Sequence, residues 1–349
     1  MTMTPFLLML VAAGPADPSP TVTINPERVC ADARSNRNLN FDLDIRNPGA
    51  QAVTITEIRA SARNTAGELI EQRLLWQGAT ATLGAARTIP ARGEALVFNP
   101  FTFDHPQRAA YIDFAVSFDN GSNATVKVTP KDCTTKARLR FPLKGRVIVY
   151  DGYDVLSHHR RDDWHIAPGF RAFGVTDNPW RFALDFIPID AKGNLAHGND
   201  SRLEDFYGWN APVFAPGDGV VVAVHGSESD NALGSEKYAK DPITEDQMDP
   251  SGNYVLIDHG RGEMSAMSHL RSGSVTVKVG DRVRSGQQVA RIGNSGATPI
   301  PHLHYELRSG FGIKGVRSLP PYFTGVTAIG ATPTAGAFAP NTGDVLIAR

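Results

Sequence analysis

The sequence predicts a mainly β protein, in which an N-terminal β-sandwich is followed by an antiparallel β-domain. Glycine (33 residues) and proline (24 residues) are abundant and divide the chain into short segments. Many of these segments are rich in β-branched residues and alternate apolar with polar side chains, which is typical of short strands joined by turns. At 349 residues the chain is long enough for two domains.

The first 16 residues are predicted to be a signal peptide. The stretch PFLLMLVAA is an apolar core of suitable length, and small residues follow it where cleavage could occur. No lysine or arginine precedes it. We therefore expect an exported protein, periplasmic or secreted. The net charge of −1 gives no reason to expect a nucleic-acid partner, and no apolar run is long enough to span a membrane.

Residues 20–136 are predicted to form the β-sandwich. The segment NLNFDLDIRN alternates apolar and polar residues, and Asn120-Gly121 separates two further alternating runs, which is a strong signal for a β-hairpin. The only cysteines of the chain, Cys30 and Cys133, flank this domain. In an exported protein such a pair is expected to form a disulfide.

Residues 137–320 are predicted to form the second β-domain, and residues 321–349 a tail that packs on it. All ten histidines except His105 lie in this second domain. The segment PHLHYEL places His302 and His304 two residues apart, so on a strand their side chains share one face. So short a motif fits a half-buried structural pair as well as a metal or catalytic site.

Four ordered segments favour the metal or catalytic interpretation. PGDGVVVAV, GNYVLIDHGRGEMSAMSHL, VKVGDRVRSGQQVARIGNSG and PHLHYEL follow one another between residues 216 and 307. Together they resemble the lysostaphin-type (LytM-like) zinc metalloendopeptidases, over about residues 145–310. The resemblance implies a LytM-like, barrel-sandwich hybrid type of fold, one zinc ion per chain, and hydrolysis of peptide cross-links in bacterial cell-wall peptidoglycan.

The resemblance also implies roles for individual residues. His304 and Asp185, the latter in the strand RFALDF, correspond to two zinc ligands. His269 and His302 correspond to two catalytic histidines that do not bind the metal. Zinc would acidify a water and polarise the scissile carbonyl, while the histidines move protons. The glutamate-base motif H-E-x-x-H does not occur in the sequence, so these two histidines must take that role.

The first zinc ligand is where this sequence departs from the family pattern. The usual pattern is H-x-x-x-D on one strand, but the position four residues before Asp185 is Arg181. A guanidinium has no lone pair to offer zinc. Strand alternation would place Arg181 on the same face as Asp185. We therefore expect Arg181 at the rim of the site, where it could pair with a carboxylate of the site or the substrate.

The missing ligand must then come from the upstream loop SHHRRDDWH. We expect His159, which best matches a His-Arg pair that some relatives carry there. His158 is the alternative metal ligand and His165 the third choice. If the loop ends a strand, His158 and His159 face opposite ways and only one reaches the metal. Should none of them do so, a catalytically inactive module that binds the cell wall or regulates a partner hydrolase is the better interpretation.

Overall fold

The computed structural model describes residues 18–26, 28–31, 39–133, 135–155, 157–162, 171–172, 174–175, 177–238, 249–312, 314–330 and 339–349. The predicted signal peptide and His165 lie outside these residues. No helix within the described ranges is long and apolar enough to cross a membrane.

The regular structure of the described residues is mainly β, which confirms the predicted fold class. The first strands are β1 (Thr21–Asn25), β2 (Cys30–Ala31), β3 (Asp42–Arg46), β4 (Val53–Arg63), β5 (Leu69–Trp76), β6 (Thr88–Ile89), β7 (Glu94–Phe98), β8 (Tyr111–Phe118), β9 (Asn123–Val128), β10 (Lys131–Asp132) and β11 (Leu139–Arg140). The next are β12 (Gly145–Asp151), β13 (Leu184–Pro188), β14 (Pro212–Phe214), β15 (Gly219–His225), β16 (Tyr254–Asp258) and β17 (Met264–Ser268). The last are β18 (Arg282–Val283), β19 (Gln288–Arg291), β20 (Leu303–Arg308), β21 (Ser318–Leu319), β22 (Phe323–Thr324), β23 (Val326–Ala328) and β24 (Val345–Ala348). Short 3-10 helices occupy Gln77–Arg87, His159–Arg161 and Leu203–Asp205.

The chain forms two compact units. Unit 1 comprises the described residues of Met1–Ile24, Asp42–Val97 and Ala109–Thr129, and unit 2 comprises those of Asn25–Phe41, Phe98–Arg108 and Pro130–Arg349. The domain boundaries expected at residues 136 and 320 stay predictions.

Unit 1 contains two sheets with the orders β1-β3-β7 and β5-β4-β8-β9, and β6 pairs with β4. Strand β8 shows why these segments become strands: its alternate residues are buried and the others are half-buried. The predicted hairpin is present, since β8 pairs antiparallel with β9 across Asn120-Gly121. Gly121 has a φ of 82°, a conformation that glycine adopts without the Cβ clash of other residues.

Unit 2 is built on a ten-stranded sheet with the order β18-β15-β16-β17-β20-β13-β12-β24-β23, in which β21 pairs with β20. The last strand, β24, pairs antiparallel with β12. The central strands bury one face in a hydrophobic core that includes Leu184, Phe186, Leu303 and Tyr305. Burial of that face fixes the register, because a slip of one residue would turn every core side chain outward.

A disulfide joins Cys30 on β2 to Cys133, just after β10. The two short strands pair in parallel, with Lys131 opposite Cys30, and the two cysteine Cα atoms lie 5.3 Å apart. Both cysteines belong to unit 2, so the bond crosslinks two segments of one unit that are far apart in the sequence.

Candidate metal centre

Three neighbouring antiparallel strands of unit 2 bring polar side chains into one row. Asp151 on β12 lies opposite Asp185 on β13, and Asp185 lies opposite His304 on β20. Residues directly opposite each other point to the same face of a sheet. Leu184 and Phe186 flank Asp185 and lie in the hydrophobic core, so Asp185 points to the other face.

Both histidines of PHLHYEL reach the same oxygen of Asp185. His304 Nδ1 lies 3.1 Å and His302 Nε2 lies 3.3 Å from Asp185 Oδ1. The other ring nitrogen of His304 lies 3.2 Å from Oε1 of the buried Glu306. Glu306 was not predicted from the sequence, although its position two residues after His304, on the same strand face, was a usable signal.

His269 joins this row from the end of β17. Ser268 lies opposite His304, and His269 follows it with a φ of 59°, a left-handed conformation that costs a non-glycine residue about 1–2 kcal/mol. The His269 ring is buried, with its centroid 4.7 Å from that of His302 and 5.6 Å from that of His304. Strained backbone of this kind is concentrated at functional sites.

The upstream loop brings His159 to the same place. One of our alternatives assumed that this loop ends a strand. Instead, His159–Arg161 form a short 3-10 helix. The His159 side chain is 6% exposed, and its Nε2 lies 3.7 Å from Asp185 Oδ2. Its ring centroid is 4.8 Å from that of His304. The side chain of His158 is 74% exposed and contacts Asp151. His159 is therefore the buried histidine of this pair beside Asp185 and His304, whereas His158 is the exposed one.

Buried polar residues hold the His159 loop in place. The amide of Asn178, which is fully buried, donates a hydrogen bond of 2.6 Å to the carbonyl oxygen of His159. The guanidinium of the buried Arg160 donates to the carbonyl oxygens of Asn99 (2.9 Å) and Leu39 (3.4 Å), in the same unit. These contacts were not predicted, because nothing local in the sequence indicates which distant backbone groups the loop meets.

The structure corrects the expected position of Arg181. Residues 179–182 form turns and β13 begins only at Leu184, so strand alternation does not extend back to Arg181. Its guanidinium is 1% exposed, and it donates to Asp177 Oδ1 (2.8 Å) and to Asn40 Oδ1 (3.3 Å). It lines a different cavity, together with Arg28. Arg181 is therefore a buried structural residue and does not lie at the rim of the histidine-rich site.

Burial and neighbouring charges strongly shift the pKa values of two residues in this row, Asp185 and His304. Burial alone would raise the pKa of Asp185, but the nearby His159 and His302 hold that pKa well below its usual range. Burial alone would lower the pKa of His304, but its hydrogen bonds to Asp185 and Glu306 raise that pKa to about 10. The buried carboxylates thus attract positive charge into this site, which suits a bound cation.

These side chains surround a cavity of about 290 Å³ in unit 2. Its lining includes Tyr150, His158, His159, Asp162, Trp180, Asp185, Glu236, Tyr238, Pro250, Ser251, His269, Ala297, Pro299, Ile300, His302 and His304.

A group of possible metal ligands partly overlaps this lining. Asp151, His158, His159 and Asp185 offer ligand atoms that all lie within 4.8 Å of one another. Imidazole nitrogens with a carboxylate oxygen are donors that zinc accepts. The donor set therefore fits a zinc ion.

Fold and geometry together define a mainly β protein with a candidate metal centre, and one family of known proteins matches part of the chain. Residues 205–317 match the family model described as Peptidase family M23. The chain thus contains a peptidase family M23 domain, which confirms the resemblance found in the sequence. His269, His302 and His304 lie inside the matched segment, whereas His159 and Asp185 precede it.

Similar curated proteins match only part of this chain. Peptidoglycan DD-endopeptidase ShyA of Vibrio cholerae serotype O1 is 32% identical over 137 residues, which cover 38% of this chain and 25% of the relative. Murein hydrolase activator EnvC of Escherichia coli (strain K12) is 38% identical over 123 residues, which cover 35% of this chain and 26% of the relative. This chain therefore spans about a quarter of the length of these two relatives.

Two solved structures are similar to part of this chain at low sequence identity. The catalytic domain of the antimicrobial peptidase lysostaphin from Staphylococcus simulans is 20% identical, covers 39% of this chain and 73% of its own, and has a TM-score of 0.24. The catalytic domain of the prophage-encoded M23 protein EnpA from Enterococcus faecalis, as its A109H mutant, is 22% identical, covers 38% of this chain and 92% of its own, and has a TM-score of 0.23.

Proposed function

We propose that this protein is an exported zinc metalloendopeptidase that hydrolyses peptide cross-links of bacterial peptidoglycan. The observation that carries the proposal is the meeting of His159, Asp185 and His304 with His269 and His302 at one cavity. Three zinc ligands and two further histidines are the set that a mononuclear hydrolytic site needs.

The proposed ligands are His159, Asp185 and His304. Nε2 of His159 and Nδ1 of His304 are the ring nitrogens that face Asp185, so they are the candidate donor atoms. When bound, zinc supplies a Lewis acid that lowers the pKa of water and polarises a carbonyl group.

His269 is the proposed general base. Its Nδ1 lies 2.9 Å from the carbonyl oxygen of Ser295, which can only accept, so Nδ1 carries the hydrogen. The lone pair of the neutral ring is then on Nε2. Burial, followed by the nearby His302 and His304, lowers the pKa of His269 well below its ordinary value. The ring is therefore neutral at pH 7 and is able to take a proton from water.

His302 is the proposed proton donor. Its Nδ1 lies 3.0 Å from the carbonyl oxygen of Ile300 and 3.0 Å from the hydroxyl of Thr298, so it donates to the carbonyl. Its Nε2 lies 3.3 Å from Asp185 Oδ1, a carboxylate oxygen that can accept a hydrogen bond from this second ring nitrogen. A ring with both nitrogens protonated can stabilise a developing oxyanion or protonate the leaving amine.

The relatives and the cysteines support the proposed cell-wall substrate and exported location. ShyA is named a peptidoglycan DD-endopeptidase and EnvC a murein hydrolase activator. The disulfide between Cys30 and Cys133 suits an oxidising compartment outside the cytoplasm. A periplasmic or secreted protein would be in the compartment that contains peptidoglycan.

The proposal is tested by metal analysis together with digestion of purified peptidoglycan. We expect one zinc ion per chain and release of peptides whose masses identify the cleaved bond. The matched variant His269→Ala should keep zinc and release none. Zinc-loaded wild-type protein that leaves peptidoglycan intact would contradict the proposed activity.

A second candidate is a catalytically inactive M23 module that binds the cell wall or regulates a partner hydrolase. The similarity to EnvC, named a murein hydrolase activator, favours it. The same experiment separates the two, because this module would contain no stoichiometric zinc and would release no peptides on its own.

A further inference from the structure

A β-bulge in β12 aims Asp151 at the candidate metal site. Val149 pairs with Phe186, but the next pair is Asp151 with Asp185, so Tyr150 is an extra residue in β12. Regular pairing would place Tyr150 opposite Asp185, and Asp151 would share the core-facing side of Val149. The bulge instead places Asp151 on the face of Asp185, and re-aiming a side chain near an active site is a known use of bulges.

Asp151 contacts the ligand loop at several points. Its Oδ2 accepts a hydrogen bond of 2.9 Å from the hydroxyl of Ser157. Its carboxylate also accepts from the backbone N–H groups of His158 and His159, both at 3.3 Å. At the ring, Oδ2 lies 2.9 Å from the buried Nδ1 of His159. Asp151 itself is only 8% exposed.

His159 needs such a restraint because of where it lies in the chain. A histidine at the position of Arg181 would share a segment with Asp185, whereas His159 lies on a single 3-10 turn. Short 3-10 turns have poor hydrogen-bond geometry and do not hold a side chain rigidly by themselves. A metal-binding histidine commonly donates its second N–H to a carboxylate, which fixes the tautomer and the orientation of the ring.

We propose that Asp151 is the positioning residue of His159, holding its ring through Nδ1 so that Nε2 faces Asp185 and His304. This inference rests on the proposed metal site. In this arrangement the bulge in β12 supplies a restraint on the His159 ring that its short 3-10 turn lacks. Asp151 is thus a second carboxylate of the row, outside the proposed ligand set.

Zinc affinity, measured by competition with a chromophoric chelator, tests this role in the full-length protein. We expect Asp151→Ala to weaken zinc binding about 10–100-fold, the usual effect of losing such a partner. Asp151→Asn should retain part of the affinity, because its carbonyl oxygen can still accept from Nδ1–H. The cobalt-substituted Asp151→Asn protein should show a shifted visible spectrum, since the ring orientation at the metal changes.

Two neighbouring variants serve as matched controls. Ser157→Ala removes a hydrogen bond between the loop and Asp151 but leaves the contact with the ring, so it should lower the Tm and keep a zinc affinity close to that of the wild type. His158→Ala removes the other imidazole at Asp151 Oδ2, 2.8 Å away, and should behave in the same way.

The possible outcomes are distinct. Wild-type protein that binds no zinc would remove both this inference and the proposed function. Wild-type protein that binds one zinc ion no more tightly than Asp151→Asn and Asp151→Ala would overturn the inference alone, as would an equal loss in Ser157→Ala. Two zinc ions in the wild type and one in His158→Ala would make Asp151 a ligand of a second ion, which also overturns it.

Discussion

Asp151 and Asp185 lie directly opposite each other on β12 and β13, and the ring of His159 contacts both. Nδ1 of His159 is 2.9 Å from Asp151 Oδ2, and Nε2 is 3.7 Å from Asp185 Oδ2. Two like charges in opposite positions on paired strands destabilise a sheet unless a partner compensates them. Burial lowers the pKa of His159, so its neutral ring can donate a hydrogen bond but carries no compensating charge. A cation beside Asp185 would supply that charge.

His158 and His159 are a natural matched pair for the first prediction. His159→Ala should abolish stoichiometric zinc binding, because it removes a buried donor beside Asp185. His158→Ala should leave one zinc ion per chain, because that side chain is 74% exposed. Metal content after dialysis measures both variants. Loss of zinc in His158→Ala alone would reverse our assignment of the ligand.

The second prediction separates the two histidines of PHLHYEL. His304→Ala should lose zinc. His302→Ala should keep zinc and lose about 10²–10⁴-fold in peptidoglycan hydrolysis, the usual contribution of a positioned acid or base. Metal content and turnover are measured on the same preparations. If His302→Ala loses the metal as fully as His304→Ala, the division of roles within this motif is wrong.

Arg181 should prove structural. Arg181→Ala leaves Asp177 and Asn40 without their buried partner, and breaking a buried ion pair costs about 3–5 kcal/mol of unfolding free energy. Denaturant titration measures this loss. Zinc affinity of the folded variant should equal that of the wild type, because Arg181 lies outside the site. Arg181→Lys keeps the charge and should lose less stability. A large zinc defect in folded Arg181→Ala would contradict a purely structural role for this residue.

The environment of His259 leads us to expect a folding stability that depends on pH. Its Nδ1 donates to the Asp218 carbonyl oxygen (2.9 Å), and the Ser265 hydroxyl donates to its Nε2 (2.7 Å). Burial lowers the pKa of His259 below its unfolded value of 6.5. The unfolded chain therefore binds this proton first as pH falls. The stabilising contribution of neutral His259 is complete above pH 6.5 and is lost below it, through the folded pKa.

The Tm of metal-free protein, measured between pH 7.5 and 5, tests this dependence. The wild type should lose more of its Tm over this range than His259→Gln, which has no proton to bind. The remaining histidines are common to both proteins, so the difference isolates His259. Parallel curves for the two proteins would show that His259 does not contribute.

The disulfide should contribute strongly to stability. It joins residues 103 positions apart, and closing a loop of that length stabilises by about 4–5 kcal/mol in the chain-entropy model. Replacing both Cys30 and Cys133 by serine should lower the denaturant midpoint accordingly. Thiol titration of the denatured, unreduced wild type should find no free thiol. Two free thiols would contradict the bond.

Several features of this protein were determined by the sequence alone. Alternating apolar residues and glycine-rich turns predicted the β class, because side-chain direction in a strand has a period of two. The same period predicted that His302 and His304 share a face, with Leu303 and Tyr305 directed to the core. The ordered segments between residues 216 and 307 identified the family, since they combine turn chemistry with the H-L-H motif.

Only the tertiary structure decided the rest of the site. Whether His158 or His159 faces Asp185 depends on a 3-10 turn and on partners more distant in the chain, such as Asn178. The position of Asp151 depends on a bulge, which is a mismatch between two strands and therefore not a property of either strand alone. Arg181 was misplaced for a related reason: its periodicity matched a strand that begins only at Leu184, and its buried partners come from elsewhere in the unit. Local periodicity sets which way a side chain points within an element, whereas strand pairing and burial decide which elements meet.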